Sequence, residues 1–184
     1  QKDDLKRIKR VAAEIADSKL FIDDTAGISI SELRAKARRK KKEEDIQVIA
    51  IDYLQLMRST SKQAQNSRER EIAEISAGLK GLAKELSIPI IVLAQLNRGP
   101  ENRGGTPRMS DLRESGSIEQ DADMVGLLFR SAYYAEDQEE RDEKDGEAEI
   151  NMAKNRNGPT GSIPLTFIKE LMRFETRAFE KDPN

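Results

Sequence analysis

The sequence predicts a three-layer α/β domain with a mostly parallel sheet and a C-terminal antiparallel hairpin. Two runs of mainly apolar residues, 46–51 (interrupted by Gln47) and 90–94, are typical of strands buried on both faces. The segment between them carries apolar residues at helical spacing, which predicts a long amphipathic helix: Ile72, Ile75, Leu79, Leu82 and Leu86. A strand, a helix and a second buried strand in this order predict a parallel βαβ unit with a right-handed crossover.

Length and charge limit what such a domain can do. A chain of 184 residues suits a single core, so we expect residues 1–184 to form one domain. The 32 basic and 34 acidic residues give a net charge of −2, so any contact with nucleic acid must be local. No apolar stretch approaches the length of a membrane span and the first residues are charged, which favours a soluble cytoplasmic protein without a membrane partner.

The available chemistry is restricted because the sequence contains neither cysteine nor histidine. This excludes disulfides, thiolate metal sites and the commonest general base. The carboxylates, amides, lysines and arginines that remain suit magnesium-assisted phosphoryl transfer.

The elements before the first apolar run are read from spacing and capping. Apolar residues at helical spacing predict a helix over residues 4–17, and residues 20–22 predict a short strand. Ser29 and Glu32 form the pattern of a capping box, so a helix is expected to begin there. Its basic residues between Arg34 and Lys42 are interpreted as a solvated face rather than a nucleic-acid patch.

The second half alternates loops with short elements. Residues 59–67 are predicted to form a polar loop, and residues 97–107, rich in glycine and proline, a mobile one. Ser110 is predicted to cap a short helix that leads into a strand over residues 124–129. The acidic segment 136–147 is expected to be an exposed, disordered excursion. Residues 149–154 and 162–167 predict the hairpin, joined by a turn at residues 157–161.

A polar residue follows each of the two apolar strands. Asp52 ends the first and Gln95 the second, and ligands of open α/β sheets bind at the carboxyl ends of strands. An acid there can hold magnesium through water, and an amide can donate to a phosphate and accept from a water. Taken singly, both residues are also compatible with simple strand-end polar caps.

Several longer stretches resemble the DnaB family of replicative helicases, in the family's order and spacing. The resemblance extends from about Leu20 to Phe167 and is carried by these segments: residues 51–57, 79–86, 95–98, 110–123 and 154–161. It implies a RecA-like fold of the P-loop NTPase class, a homohexameric ring, and hydrolysis of ATP with Mg²⁺ between subunits. It also implies 5′-to-3′ translocation on single-stranded DNA, unwinding at replication forks, and primase and a helicase loader as partners.

The same resemblance assigns roles to individual residues. Asp52 would be the Walker B acid that holds Mg²⁺ through water, and Gln95 the phosphate sensor. A loop facing the DNA would contain Arg113, Glu114 and Gly116. The hairpin would carry a basic pair that reaches the ATP of the next subunit: Lys154 and Arg156. From spacing alone, the favoured interpretation of Arg113 and Glu114 is a surface ion pair, and that of Arg156 is a solvated arginine at the end of a hairpin.

The sequence also departs from the family pattern. It has no phosphate loop of the form GxxxxGK[ST], and Ala94 replaces the usual serine before the sensor glutamine. Because the chain begins with Gln1 rather than methionine, we expect an excised piece whose N-terminal part is missing. Because it has no phosphate loop, we expect this piece to be inactive alone. The alternatives are another RecA-like ATPase, of the recombinase or RadA type, and a catalytically dead adaptor or loader-binding module.

Overall fold

The computed structural model describes residues 2–61, 64, 67–97, 105–135 and 137–177, apart from the side chains of residues 2 and 113–115. The helices are α1 (Lys2–Ala16), α2 (Ile30–Glu44), α3 (Arg68–Leu86), α4 (Gly116–Asp121) and α5 (Gln138–Glu143). The strands are β1 (Ile49–Ile51), β2 (Ile90–Val92), β3 (Met124–Arg130), β4 (Glu147–Asn155), β5 (Gly161–Ile168) and β6 (Arg173–Thr176).

The predicted βαβ unit is present, and with it the α/β class is confirmed. Strands β1 and β2 pair in parallel, with Ile51 opposite Val92, and α3 connects them. The apolar face of α3 packs against the segment that follows β1 and forms the main core: Leu54, Met57, Ile72, Ile75 and Leu79. The 3.6-residue period of α3 therefore determines which side of the parallel pair is buried.

Burial of these two strands on both faces was predicted and is wrong for the described residues. Ile51 and Val92 pack on the core, whereas Ile91 is 56% exposed and Leu93 is also exposed. Successive side chains of a strand point to opposite faces, and the described helices cover only one face of this pair. Among the described residues, the parallel sheet consists of two strands. It is therefore smaller than the mostly parallel sheet predicted from the two apolar runs.

The first segment combines a correct prediction with a wrong one. The predicted N-terminal helix is α1, although its apolar side chains are exposed. Residues 20–22 do not form the predicted strand, and Ile22 is 84% exposed. An extended segment becomes a strand only when a neighbour satisfies its backbone groups, and none of the described strands pairs with it.

The capping box at the start of α2 is confirmed. The Glu32 amide donates to Ser29 Oγ at 3.3 Å, and the Ser29 amide donates to Glu32 Oε2 at 2.9 Å. These hydrogen bonds from Ser29 lower the pKa of the Glu32 carboxyl below its usual value. Several basic residues of this helix form ion pairs, among them Arg38, Lys41 and Lys36. Lys36 donates to the Asp23 carboxylate at 2.6 Å and lowers the pKa of Asp23 to about 2. Such pairing supports the interpretation of a solvated, charged face.

The C-terminal hairpin is confirmed and belongs to a larger antiparallel sheet with the order β3-β4-β5-β6. Strands β4 and β5 form the hairpin, with Ile150 opposite Ile163. Strand β6 was not predicted; it pairs with β5 and places the Phe174 ring 4.8 Å from that of Phe167. Its four residues carry little local signal, so contact with the hairpin determines their conformation.

The acidic segment was predicted to be disordered, and this is wrong for the residues described. Residues 138–143 form α5, and the Asp137 carboxylate accepts from the Glu140 amide at 2.8 Å. An ion pair of Lys144 with Glu140 also stabilises this turn and raises the pKa of Lys144. Local capping thus offsets the repulsion expected from composition. The predicted mobile loop lies mostly outside the described residues.

Candidate functional site

Asp52 and Gln95 leave the parallel pair at the same edge. Asp52 directly follows β1, and Gln95 comes three residues after β2. Because the strands are parallel and Ile51 pairs with Val92, the segments that follow β1 and β2 both leave at the carboxyl edge of this sheet, as predicted. Both residues are exposed. The arrangement presents one carboxylate and one amide to solvent at the edge where α/β domains bind ligands.

The side chain of Gln55 holds the backbone of Gln95. Gln55 Nε2 donates to the Gln95 carbonyl at 3.0 Å, and the Gln95 amide donates to Gln55 Oε1 at 3.2 Å. The Gln55 carbonyl in turn accepts from Arg68 Nη2 at 2.7 Å. The sequence analysis missed these contacts, because the two glutamines are 40 positions apart and only the parallel pairing brings them together.

A divalent cation at this edge would be bound mainly through water and phosphate. No group of three acidic, histidine or cysteine side chains comes together anywhere in the described part of the chain. Mg²⁺ does not require such a group, since it keeps several waters and is commonly bound by one or two carboxylates plus phosphate. The single exposed carboxylate of Asp52 therefore fits magnesium.

Residues 109–115 form a 3₁₀-helix that runs directly into α4. Asp111 is buried: its carboxylate accepts from the Arg108 amide at 2.7 Å, and its carbonyl accepts from the Asn97 amide at 3.0 Å. Ser110 lies inside this helix, so its predicted role as a cap is wrong; the capping carboxylate is that of Asp111. The contact with Asn97 connects the segment to the chain that leaves β2.

The predicted DNA-facing residues lie at the junction of this 3₁₀-helix with α4. Arg113 and Glu114 belong to the 3₁₀-helix, and their side chains are outside the described part. Gly116 is exposed, with φ −53° and ψ −28°, a conformation open to any residue. A Cβ at this position would meet nothing within 4 Å. The glycine therefore leaves open space rather than permitting an unusual backbone.

Lys154 and Arg156 contact the carboxyl end of α4. Lys154 Nζ donates to the Glu119 carbonyl and, at 3.3 Å, to that of Gln120. Arg156 Nη2 donates to the same Gln120 carbonyl at 2.6 Å. Cations are favoured at a helix C-terminus, where carbonyls lack intrahelical partners. One short helix thus has the predicted DNA-facing glycine at its start and the predicted basic pair at its end.

Asp123 joins this cluster to α3. Its carboxylate pairs with Lys80 and lies 3.5 Å from Arg156 Nη1, and its carbonyl accepts from the Arg156 amide at 2.9 Å. The hydrogen bond from Lys80, with the positive charges of Arg156 and Lys154, lowers the pKa of the Asp123 carboxyl. Sequence reasoning did not single out Asp123 or Lys80, since neither pairing is local.

We expect Lys80→Ala to raise the pKa of Asp123 toward the ordinary value of an aspartate, because the hydrogen bond from Lys80 is the largest cause of its depression. A carboxyl with a lowered folded pKa stabilises the fold above its ordinary pKa, and this contribution is lost as the pH falls through the folded value. The variant should therefore lose less stability on acidification. Carboxyl NMR titration measures the first effect, and denaturation at several pH values the second.

Lys84→Ala is the matched control, because Lys84 lies one turn further along α3 and is exposed. It should leave the titration of Asp123 unchanged. An Asp123 pKa that is the same in Lys80→Ala and in the wild-type chain would contradict the assigned pairing.

Comparisons with known proteins agree with one another. A family model described as the DnaB-like helicase C-terminal domain matches residues 1–176. Relatives named as replicative DNA helicases from Bacillus subtilis and Geobacillus stearothermophilus are 46% and 45% identical over 173 residues, which is 94% of this chain. The chain spans 37% of the length of either relative.

Solved structures show the same relationship. One chain, described as an ATPase domain, superposes with a TM-score of 0.83 at 38% identity, covering 95% of this chain and 61% of that one. A DnaB-like replicative helicase, described with its interactions with primase, gives a TM-score of 0.82 at 38% identity, with 95% and 42% covered. Among the described residues, no helix is long and apolar enough to cross a membrane. Because the family match extends over almost the whole sequence, the chain belongs to the DnaB-like helicase C-terminal domain family.

Proposed function

We propose that the full-length protein is an ATP-dependent replicative DNA helicase, which hydrolyses ATP with Mg²⁺, translocates 5′ to 3′ on single-stranded DNA and unwinds the replication fork. The family assignment supports this proposal, as do the names of the relatives. Residues 1–184 would form one domain, the C-terminal part of a RecA-like motor domain. The relatives named above come from bacteria, which replicate their DNA in the cytoplasm, and the proposal puts this protein there as well.

The observation that carries the proposal is the parallel pairing of β1 with β2, with Asp52 and Gln95 at its carboxyl edge. Bound Mg²⁺ would neutralise charge on the phosphates of ATP. The Asp52 carboxylate would accept hydrogen bonds from the waters around that ion. The Gln95 amide would donate to a phosphate oxygen and accept from water, and so distinguish bound ATP from its hydrolysis product.

Binding to DNA would follow the sugar-phosphate backbone rather than the bases. Residues 109–121 contain no aromatic side chain on which bases could stack. Arg113 would supply positive charge, Glu114 would help to orient the loop, and the open space at Gly116 would let a strand approach closely. A motor that moves along any sequence requires this kind of contact.

Lys154 and Arg156 would act on the ATP held by the neighbouring subunit of a homohexamer. Both contact the end of α4 within the chain, while the Arg156 side chain remains 48% exposed. A guanidinium can exchange carbonyl oxygens for phosphate oxygens, since it donates to both in the same planar geometry. Switching between these partners would connect the state of ATP at one interface to α4 and the DNA-facing loop.

Primase and a helicase loader are the proposed protein partners. The solved relative described with its interactions with primase supports the first. A recombinase or RadA-type ATPase is less well supported, because the relatives named above are replicative helicases. A catalytically dead adaptor remains the alternative from a different class, and measuring hydrolysis by the full-length protein decides between them.

Asp52→Asn in the full-length protein should lower ATP hydrolysis in the presence of Mg²⁺ by on the order of 10²-fold, since it removes the negative charge that would hold the waters around Mg²⁺, the ion that neutralises charge on the reacting phosphates. DNA unwinding should fall in parallel. Binding of single-stranded DNA should persist, because the proposed DNA-facing loop lies on a different segment. Steady-state hydrolysis, a strand-displacement assay and fluorescence anisotropy with a labelled oligonucleotide measure the three properties.

Asp45→Asn is the control, because Asp45 is an exposed aspartate in the left-handed conformation that asparagine also adopts readily. It should hydrolyse ATP and unwind DNA normally. A wild-type protein without ATPase activity would favour the adaptor instead. Normal hydrolysis by Asp52→Asn would show that this carboxylate has no part in binding the metal.

A further inference from the structure

We propose that Gln55 is a positioning residue for ATP hydrolysis, which acts by fixing the backbone of Gln95; this rests on the function proposed above. The side-chain amide of Gln55 donates to the Gln95 carbonyl at 3.0 Å and accepts from the Gln95 amide at 3.2 Å. One side chain therefore satisfies both backbone polar groups of the sensor residue. A peptide group of a neighbouring strand would offer the same donor and acceptor.

This contact takes over where the strand pairing ends. Backbone hydrogen bonds connect the segments that follow β1 and β2 at Leu93. Its amide donates to the Ile51 carbonyl and its carbonyl accepts from the Leu54 amide, both at 2.9 Å. Gln95 lies two residues further on and is exposed. A segment that leaves a sheet without further backbone pairing is expected to be mobile. The Gln55 amide extends the pairing to this residue.

Gln55 is itself rigidly placed. Its neighbour Leu54 is 1% exposed, and Met57 is also buried in the main core. The Gln55 carbonyl accepts from Arg68 Nη2 at 2.7 Å, and Arg68 pairs with Glu71 of the same helix. Desolvation by itself raises the pKa of Glu71, but the hydrogen bonds from the Ser59 amide and from Arg68, with the charge of Arg68, together lower it below its usual value. A fixed support of this kind can hold Gln95 in one position.

The expected consequence is an effect on turnover with little effect on the binding of ATP. Gln55 is not proposed to touch the nucleotide; it sets where the Gln95 amide lies. A displacement of about 1 Å in a catalytic group can cost on the order of 10²-fold in rate. Because several groups share the binding of ATP, its affinity should depend much less on this one position.

The test compares Gln55→Ala with wild type in the full-length protein. We expect kcat for ATP hydrolysis to fall by about 10-fold or more, with KM for ATP changed less than about twofold, as for an interaction made mainly in the transition state. Hydrogen exchange of the Gln95 amide should accelerate in the variant, because its acceptor is gone. Gln47→Ala is the matched control: Gln47 is an exposed glutamine whose side-chain amide donates to the nearby Asp45 carbonyl at 2.7 Å.

A double-mutant cycle separates this inference from the proposed role of Gln95. If Gln55 acts through Gln95, adding Gln55→Ala to Gln95→Ala should lower kcat less than about twofold further, since coupled residues are not additive. Full activity of Gln95→Ala would refute the sensor role of Gln95. Even then, faster hydrogen exchange of the residue 95 amide in Gln55→Ala would show that Gln55 fixes this part of the backbone.

If Gln55→Ala does not fold, Gln55→Glu takes its place, because it keeps the length of the side chain and the acceptor for the Gln95 amide but loses the donor. An intermediate loss of kcat is then expected. The positioning role is wrong if kcat is unchanged in the variant that folds, if the exchange rate of the Gln95 amide does not change in Gln55→Ala, or if the losses add fully in the double variant.

Discussion

Arg156→Ala in the full-length protein should reduce ATP hydrolysis by on the order of 10³-fold or more, the range found for arginines that act on a neighbour's nucleotide. Nucleotide binding and ring assembly should remain largely intact, because stabilisation of transition-state charge contributes little to ground-state affinity. The basis is the position of Arg156 beside Lys154, directly before the turn at residues 157–161 of the hairpin. Steady-state hydrolysis, nucleotide binding and sedimentation of the assembled protein measure the three quantities.

Mixed assemblies show on which subunit the arginine acts. Rings that combine Arg156→Ala subunits with subunits mutated in the phosphate loop should regain some activity, because intact halves can meet at some interfaces. No recovery is expected if Arg156 serves only the nucleotide of its own subunit. Normal hydrolysis by the Arg156→Ala variant, or a loss of nucleotide affinity in proportion to rate, would contradict the proposed role.

The contacts within the chain provide a control for a purely structural effect. Arg156 interacts with the Gln120 carbonyl and with Asp123, so its removal could act only by loosening α4. Asp123→Asn weakens the same cluster without removing the guanidinium. If loosening α4 were the cause, Asp123→Asn would reproduce the loss of hydrolysis; we expect it to retain most of the activity.

The isolated 184-residue chain should hydrolyse ATP at no more than the background rate. It contains no GxxxxGK[ST] segment, so it offers neither the backbone cradle for the phosphates nor the lysine that contacts the β- and γ-phosphates. Phosphate release by the purified chain, with and without single-stranded DNA, measures this. The full-length protein, assayed at the same molar concentration, is the positive control.

Clear turnover by the isolated chain that Asp52→Asn abolishes would contradict this prediction. It would mean that the described residues cradle the phosphates by another route. Turnover that Asp52→Asn leaves unchanged would instead indicate a contaminating ATPase.

Local chemistry explains which elements could be predicted. The capping box of Ser29 and Glu32, the spacing of apolar residues along α3 and the glycine-rich turn of the hairpin are each set by residues a few positions apart. Composition was less reliable. It predicted disorder where Asp137 caps α5. The short apolar run at residues 20–22 likewise predicted a strand where no described strand pairs with the chain.

The candidate site divides in the same way. The positions of Asp52 and Gln95 after two apolar runs could be read from the sequence, and the parallel register brings both to one edge. The contact of Gln55 with Gln95 could not be read from the sequence. The same holds for the contacts of Lys154 and Arg156 with the end of α4. Their proposed roles in catalysis and DNA binding stay predictions until the variants are measured.

By itself, the sequence determined the α/β class, the order of most elements and the family, because these depend on periodicity, capping and motifs that are local in the chain. Only the tertiary structure decided which side chains hold one another across the site. Gln55 and Gln95 are 40 positions apart, and Arg156 and Gln120 are 36 apart. Hydrogen bonds form only within about 3 Å, and at such separations the packing of strands and helices determines which groups come that close.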